Sequence, residues 1–421
     1  MTSATGKGLG FWTLTFLVVA NMIGAGVFTT SGYTLESLRD PKLVLFAWFA
    51  AGLLALCGAY SYGLLVQRMP VSGGEYAFLS RAAHPFAGFI AGWVSLLAGF
   101  SGAIAFAAIA MESYLPGVLP PKVLAASIVI LGALIHGAKR IIGISTQNIA
   151  VILKVILLAI FISLSTWSAA QGKWQGNSFP LTRESIGLLA FAQAMVWISL
   201  SYSGFNAGVY VAGEATSPRV VSRALITGTA IVTLLYLLLN AAFVLAPPPS
   251  EISGQADIAA HAAMWIGGES FATFTRLVIS LALFTSVLSM MMAGPRVYGK
   301  MAEDGILPKV FILRPDSTWP AVTLQMSLAL LLIFITNLQD LLGFLGLTLS
   351  LSASASVLCL FLGDPTKRPR GLNALPPLIF IIATLITAIL LVIHDSKQAL
   401  GTILTITIAA AAYQLMKPRP S

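Results

Sequence analysis

Asn21-Met22-Ile23-Gly24-Ala25-Gly26-Val27-Phe28 interrupts an apolar run that extends from about residue 10 to about residue 33. A glycine inside a helix costs about 1 kcal/mol relative to alanine. In hydrocarbon, an unpaired amide or carbonyl costs far more, so a helix opened here must face protein, water or ligand. A second stretch of the same character, Ser201-Tyr202-Ser203-Gly204-Phe205-Asn206, interrupts the apolar run from 184 to 212. Gly24 and Gly204 lie 180 residues apart, the spacing that one five-helix unit gives. An odd-numbered unit inserted twice is inverted the second time, and paired broken helices at matching places point to a transport site.

Composition supports a membrane setting. Of 421 residues, 57 % are hydrophobic and 9 % charged, against roughly 45 to 50 % and 25 % in soluble domains. The apolar residues fall in separate runs of about 20, each able to cross a hydrocarbon core of about 30 Å. Twelve spans are expected, near 10–33, 42–66, 84–114, 121–138, 146–168, 184–212, 220–246, 268–296, 319–337, 340–362, 374–393 and 398–416. The short amino terminus enters the first span without a small-residue cleavage site, so no removable signal peptide is expected.

With the amino terminus inside, cytoplasmic segments hold sixteen Lys and Arg residues and outer segments seven, leaving Lys154 alone within a span. The positive-inside rule then places both termini in the cytoplasm. The net charge of +9 is scattered over short loops, which argues against nucleic acid as a partner. The expected organisation is a terminus at 1–9, a first five-helix repeat at 10–170, a second, inverted repeat at 184–363, a basic linker at 364–373 and two peripheral helices at 374–416.

The breaks carry specific chemistry. Amides at Gly24, Ala25 and Gly26 start the outer half of span 1, where the positive end of the helix dipole suits a carboxylate. Carbonyls from Asn21 to Ile23 and from Ser201 to Ser203 suit an ammonium group. Together they describe a receptor for a zwitterion. Small residues that merely permit close packing would explain one such motif; two at matched positions, mixed with Asn, Ser and Tyr, favour a site.

At these residues the chain resembles the amino acid-polyamine-organocation (APC) superfamily of transporters. The matching motifs are Asn21 to Phe28; Met69-Pro70-Val71-Ser72-Gly73-Gly74-Glu75-Tyr76; Tyr202 to Ala207 with Gly213-Glu214 and Pro218; and Pro295 to Tyr298 with Met301 to Pro308. The resemblance implies an all-α membrane protein with the leucine-transporter fold, twelve transmembrane helices built as a 5+5 inverted repeat plus two peripheral helices. It also implies alternating access around a midplane site made by Asn21, Ile23, Gly24, Ala25, Gly26, Tyr202, Ser203, Gly204 and Phe205.

Lys154 lies about eight residues, or about 12 Å, inside span 5, too deep for its side chain to reach the surface fully. Such a lysine costs roughly 2.5 to 3.5 kcal/mol near the bilayer centre, so it needs a polar pocket or a partner. In similar family members a lysine here stands where sodium sits in sodium-coupled relatives, and Thr285 and Ser286 match the span 8 hydroxyls. The resemblance thus implies sodium-independent transport, with Lys154 either a static ammonium or a group exchanging protons.

No carboxylate is expected deep in a span, which favours neutral L-amino acids over cationic ones or polyamines. Glu75 and Glu214 read as inner-end ion-pair partners for Arg68, Arg81, Arg219 or Arg296, with a latch of the inner gate through the same arginines as the alternative; Phe205 reads as an aromatic lid and Tyr202 as packing. His84, His136, His261 and His394 fall near span ends, and Cys57 and Cys359 inside apolar segments as small buried side chains. No cofactor or metal site is expected. An integral membrane enzyme would need an acid, histidine or nucleophile cluster at membrane depth, and a channel a filter repeat; the sequence has neither. A disulfide-linked heavy subunit is not expected, because the loop from Leu115 to Lys122 has no cysteine. The expected setting is a bacterial inner membrane, with protons as candidate co-substrate and symport or exchange both open.

Overall fold

The computed structural model describes residues 8–138, 143–174, 187–305, 307–313, 318–362 and 364–416, with only the backbone at 137–138, 143–155, 300 and 416. Among these the chain is helical, with one isolated parallel bridge between Leu9 and Ala215. The helices are α1 (Phe11–Met22), α2 (Ala25–Leu38), α3 (Pro41–Arg68), α4 (Gly74–Ala82), α5 (Pro85–Val94), α6 (Ala103–Tyr114), α7 (Val123–Ala138) and α8 (Gly143–Ala170). They continue as α9 (Leu188–Tyr202), α10 (Pro218–Leu245), α11 (Pro249–Ile252), α12 (Ile258–Glu303), α13 (Trp319–Ile335), α14 (Leu338–Leu358), α15 (Leu375–His394) and α16 (Ser396–Met416).

Among the described residues, eight helical segments are long and apolar enough to cross a membrane, and α1 with α2 makes a ninth as a pair bent by 44°. Apolar helices at Val123–His136, Ile156–Ala170 and Trp319–Ile335 are shorter over their described residues. Helix length alone therefore does not reach the expected twelve. The exposed side chains of α15 show what surrounds the bundle: Ile379, Ile382, Ile386, Ile389 and Ile393 recur at helical spacing and stay outside the core. Such a stripe is stable against lipid tails and costly against water.

Three elements depart from the sequence expectations. Span 3 is continuous from α5 to α6 only through a π-helical stretch, Ser95–Gly102. The loop after span 2 folds its Gly-Glu-Tyr motif into α4, capped by Gly73 and opening on Gly74, both with positive φ. The helix that carries span 8 runs past its expected end near residue 296, as α12 continues through Pro295 to Glu303. A proline removes one intrahelical bond, which neighbouring groups can compensate in a membrane bundle. The carbonyl that Pro295 leaves without its usual amide is that of Met291; one residue earlier, Gln325 of α13 donates to the Met290 carbonyl at 2.9 Å. At its other end α12 kinks at Gly268, whose φ is 75°.

Five helix pairs position the centre. α1 packs on α10, α2 on α9, α3 on both α9 and α10, and α8 on α12. The broken span 1 is thus held among helices from both halves of the chain.

Candidate functional site

α1 stops at Met22 and α2 starts at Ala25 because Ile23 and Gly24 leave helical geometry, Ile23 at φ −74°, ψ 83° and Gly24 at φ −117°, ψ −160°. The Gly24 amide turns back to the Met22 carbonyl at 2.8 Å. Ala25, Gly26 and Val27 then form the first turn of α2, whose amides precede the helix's own ladder and sit at its positive end. Chain neighbours aside, a Cβ on Gly24 would meet nothing nearer than the Met22 oxygen at 3.9 Å. This end of α2 has room beside it.

The second break is tighter. α9 ends at Tyr202, Ser203 turns away at φ −55°, ψ 140°, and the chain resumes as a 3-10 helix, Ala207–Glu214. Gly204 between them has φ 103°, in the region where a side chain is strained. A Cβ on it would also lie 2.9 Å from the carbonyl carbon and oxygen of Asn21, and one on Gly26 would lie 2.5 Å from Ser201 Oγ. The two broken spans therefore meet backbone to backbone at Asn21–Gly204 and Gly26–Ser201. The Asn21 side chain turns back to its own helix, donating to the Leu17 carbonyl at 2.8 Å.

Sequence reasoning missed the residue that joins the breaks. Tyr236 of α10, fully buried, places its hydroxyl 2.5 Å from the Met22 carbonyl and 3.0 Å from that of Ser201. One hydroxyl donates one proton, so it fully serves one carbonyl at a time. Its ring packs edge-on against Trp48 and Tyr202 at 5.5 and 5.2 Å. Trp48 Nε1 donates to Ser31 Oγ at 2.8 Å, Ser31 donates to Asn240 Oδ1, and Asn240 donates to the Tyr236 carbonyl at 2.8 Å. A tyrosine followed four residues later by asparagine in an apolar span was the signal available.

Tyr202 is buried in this aromatic group and donates to the Trp48 carbonyl at 3.1 Å. Phe205 lies on another side, edge-on to Tyr62 at 5.4 Å and beside Phe380 at 6.0 Å. Thr285 and Ser286 are buried in α12, and each hydroxyl donates to the Ala282 carbonyl. The Lys154 side chain lies outside the described residues, although α8, which carries it, packs on α12.

Contacts cross the two ends of the bundle. At one end, the Gly254 amide donates to the Gly32 carbonyl at 2.9 Å, and Tyr114 donates to the Phe28 carbonyl at 2.6 Å. Asp257 follows that loop, 3.3 Å from His261 Nδ1 and 3.4 Å from Arg276 Nη2. Burial works against its charge, but the His261 hydrogen bond and Arg276 outweigh burial and hold its carboxyl below the usual aspartate range. At the other end, Leu9 exchanges backbone hydrogen bonds with Glu214 and Thr216, and Ser72 accepts from the Gly213 amide at 3.0 Å.

The Glu75 expectation is corrected. Its carboxylate is buried and meets no arginine among the described residues; it accepts from Tyr62, Asn206 and Tyr210 instead. Arg68 spends its guanidinium on the carbonyls of Cys359, Leu360 and Leu362, closing the end of α14. Glycine spacing in the motif gave no hint that the acid would point inward.

Two broken helices meeting at a closed centre, inside an apolar bundle, define a membrane transporter. The amino acid permease family profile matches residues 9–416, and the chain belongs to that family. It is 28 % identical to the serine/threonine exchanger SteT of Bacillus subtilis over 343 residues, covering 79 % of this chain and 77 % of that one. It is 25 % identical to the human large neutral amino acids transporter small subunit 2 over 402 residues, covering 89 % and 74 %. The mouse b(0,+)-type amino acid transporter 1 is 28 % identical over 264 residues, covering 60 % and 54 %. These relatives are amino acid transporters, and transport of amino acids across a membrane is the shared activity.

Proposed function

We propose that this protein moves neutral L-amino acids by alternating access without sodium, by exchange or proton-coupled symport, in a bacterial inner membrane with both termini cytoplasmic. The substrate carboxylate rests on the first-turn amides of α2 at Ala25, Gly26 and Val27. Its ammonium group rests among the carbonyls at the ends of α1 and α9. The observation that carries the reading is the meeting of the two breaks, with room beside Gly24 and a single hydroxyl, that of Tyr236, reaching a carbonyl of each.

The same geometry supports the reading of a neutral substrate. Glu75 is the acid nearest the span 6 break on the inner side, yet both its oxygens are already engaged by protein donors. A cationic side chain finds no spare carboxylate there. In this reading Lys154 takes the place of a sodium ion between α8, the inner half of span 1 and the hydroxyls of Thr285 and Ser286. The repeats at 10–170 and 184–363 move around it, and no disulfide-linked heavy subunit takes part.

Proteoliposome uptake tests the proposal. Uptake of labelled neutral amino acids is expected with potassium in place of sodium. Acceleration by internal substrate marks exchange, and acceleration by an imposed proton gradient marks symport. Sodium dependence, or transport of amines lacking a carboxylate in preference to amino acids, overturns the reading. Lys154→Ala with pH-driven uptake intact removes the proton role of that lysine.

A further inference from the structure

The Glu75 carboxylate is buried and, among the described residues, held by neutral donors. Glu75 is 6 % exposed. Its Oε1 accepts from Tyr62 of α3 at 2.8 Å and from Asn206 Nδ2, and its Oε2 accepts from Tyr210 at 2.7 Å. No ion pair reaches it among the described residues. The three partners sit on two bodies: Tyr62 is fully buried in α3, while Asn206 and Tyr210 belong to the inner half of span 6. Asn206 is two residues beyond Gly204, so the donor stands at the break itself.

The surrounding backbone is shaped for this contact. Glu75 lies in the first turn of α4, where the positive end of the helix favours an anion. Gly73 and Gly74 have φ of 121° and 59° and bring the chain sharply into that turn. A side chain on Gly74 would overlap the Tyr210 ring. The neighbouring Ser72 accepts from Gly213 at the far end of the same 3-10 helix. Tyr62 also presents its ring edge to Phe205 at 5.4 Å, so the hub touches span 6 on both sides of Asn206.

We infer that the Glu75 carboxylate is the latch of the inner mouth, holding the inner half of span 6 to α3 and α4 and releasing it when the mouth opens. The inference rests on the alternating-access reading above. Hydrogen bonds to a charged acceptor are about twice as strong as neutral ones. A glutamine of the same size keeps one acceptor oxygen for Tyr62 and Asn206 but turns the Tyr210 contact around and removes the charge, so three charge-assisted bonds become weaker neutral ones. Shape is kept and the latch is weakened. Glu75 acts here as a positioning residue, away from the substrate.

The test reads opening directly. A cysteine replaces Leu14, fully buried in α1 near the cytoplasmic end, in a background where Cys57 and Cys359 are alanine. Alkylation of that cysteine by a maleimide is followed in the full chain in detergent. In Glu75→Gln, labelling is expected to rise at least about tenfold, with the monodisperse elution of the parent retained. Tyr210→Phe, which keeps the carboxylate and removes one donor, is expected to raise it by a smaller factor. The double variant is expected to match Glu75→Gln alone, because the two changes break one unit.

Parent-rate labelling in Glu75→Gln, or factors that multiply in the double variant, overturns the latch. If Glu75→Gln does not fold, Tyr210→Phe at the parent rate overturns it and faster labelling supports it. A parent whose labelling responds to neutral amino acids while Glu75→Gln labels no faster retains the transport reading and loses the latch. A parent that responds to no amino acid while Glu75→Gln labels faster retains the latch and loses the substrate reading.

Discussion

The two ends of the bundle are held by different contacts. At the end we read as outer, Gly32 of α2 lies against the Gln255 carbonyl and Gly254 lends its amide to Gly32, a backbone approach that leaves no space for a side chain. At the end we read as inner, backbone bonds at Leu9 are joined by a buried carboxylate with three donors. The Gly32 contact is limited by volume, whereas the Glu75 contact depends on an acceptor. The two can therefore be broken by different substitutions.

Gly32→Ala is the strongest test. The added methyl overlaps the Gln255 carbonyl, and overpacking of this kind costs about 1 to 3 kcal/mol or more. The expected outcome is a protein held open to the outside, with uptake reduced at least about tenfold while external substrate still binds, measured by transport against equilibrium binding. Glu75→Gln should leave outer closure alone and open only the inner side, which cysteine labelling from each face distinguishes.

Tyr236→Phe comes next, because it removes the hydroxyl shared by both breaks without changing ring packing. Loss of a buried hydrogen bond costs about 0.5 to 1.5 kcal/mol. A change of about two- to tenfold in substrate KM is expected, in kinetics from both sides of the membrane. An unchanged KM would mean that the hydroxyl is only a strut.

The smallest effect belongs to Asp257. Its carboxyl is held low, so its stabilisation is present above the ordinary aspartate value near pH 4 and is lost as pH falls through the lowered one. Asp257→Asn is expected to cost up to about 1 kcal/mol at neutral pH. Thermal unfolding in detergent should show that difference at pH 7 and a narrowing below about pH 4. A constant difference across that range would assign the loss to packing.

Much of this was legible in one dimension. Glycines inside apolar runs announced the breaks, because lipid forbids an unpaired backbone. The side-chain assignments at the centre were less legible. Phe205, read as a lid, has its ring against Tyr62 and Phe380, and Glu75, read as an ion-pair partner, takes three neutral donors. Tyr236 went unnoticed because a tyrosine in a bundle looks like packing until its hydroxyl is seen between two carbonyls.

The sequence by itself determined the membrane setting, the helical class and the places where spans 1 and 6 open, since each follows from the local cost of exposing backbone or charge to hydrocarbon. Only the tertiary structure decided which groups meet at those openings. Contacts such as Tyr236 with Met22 and Ser201, Gly204 with Asn21, and Glu75 with Asn206 and Tyr210 join residues far apart in the chain. They depend on how helices cross, and local hydropathy carries no record of that.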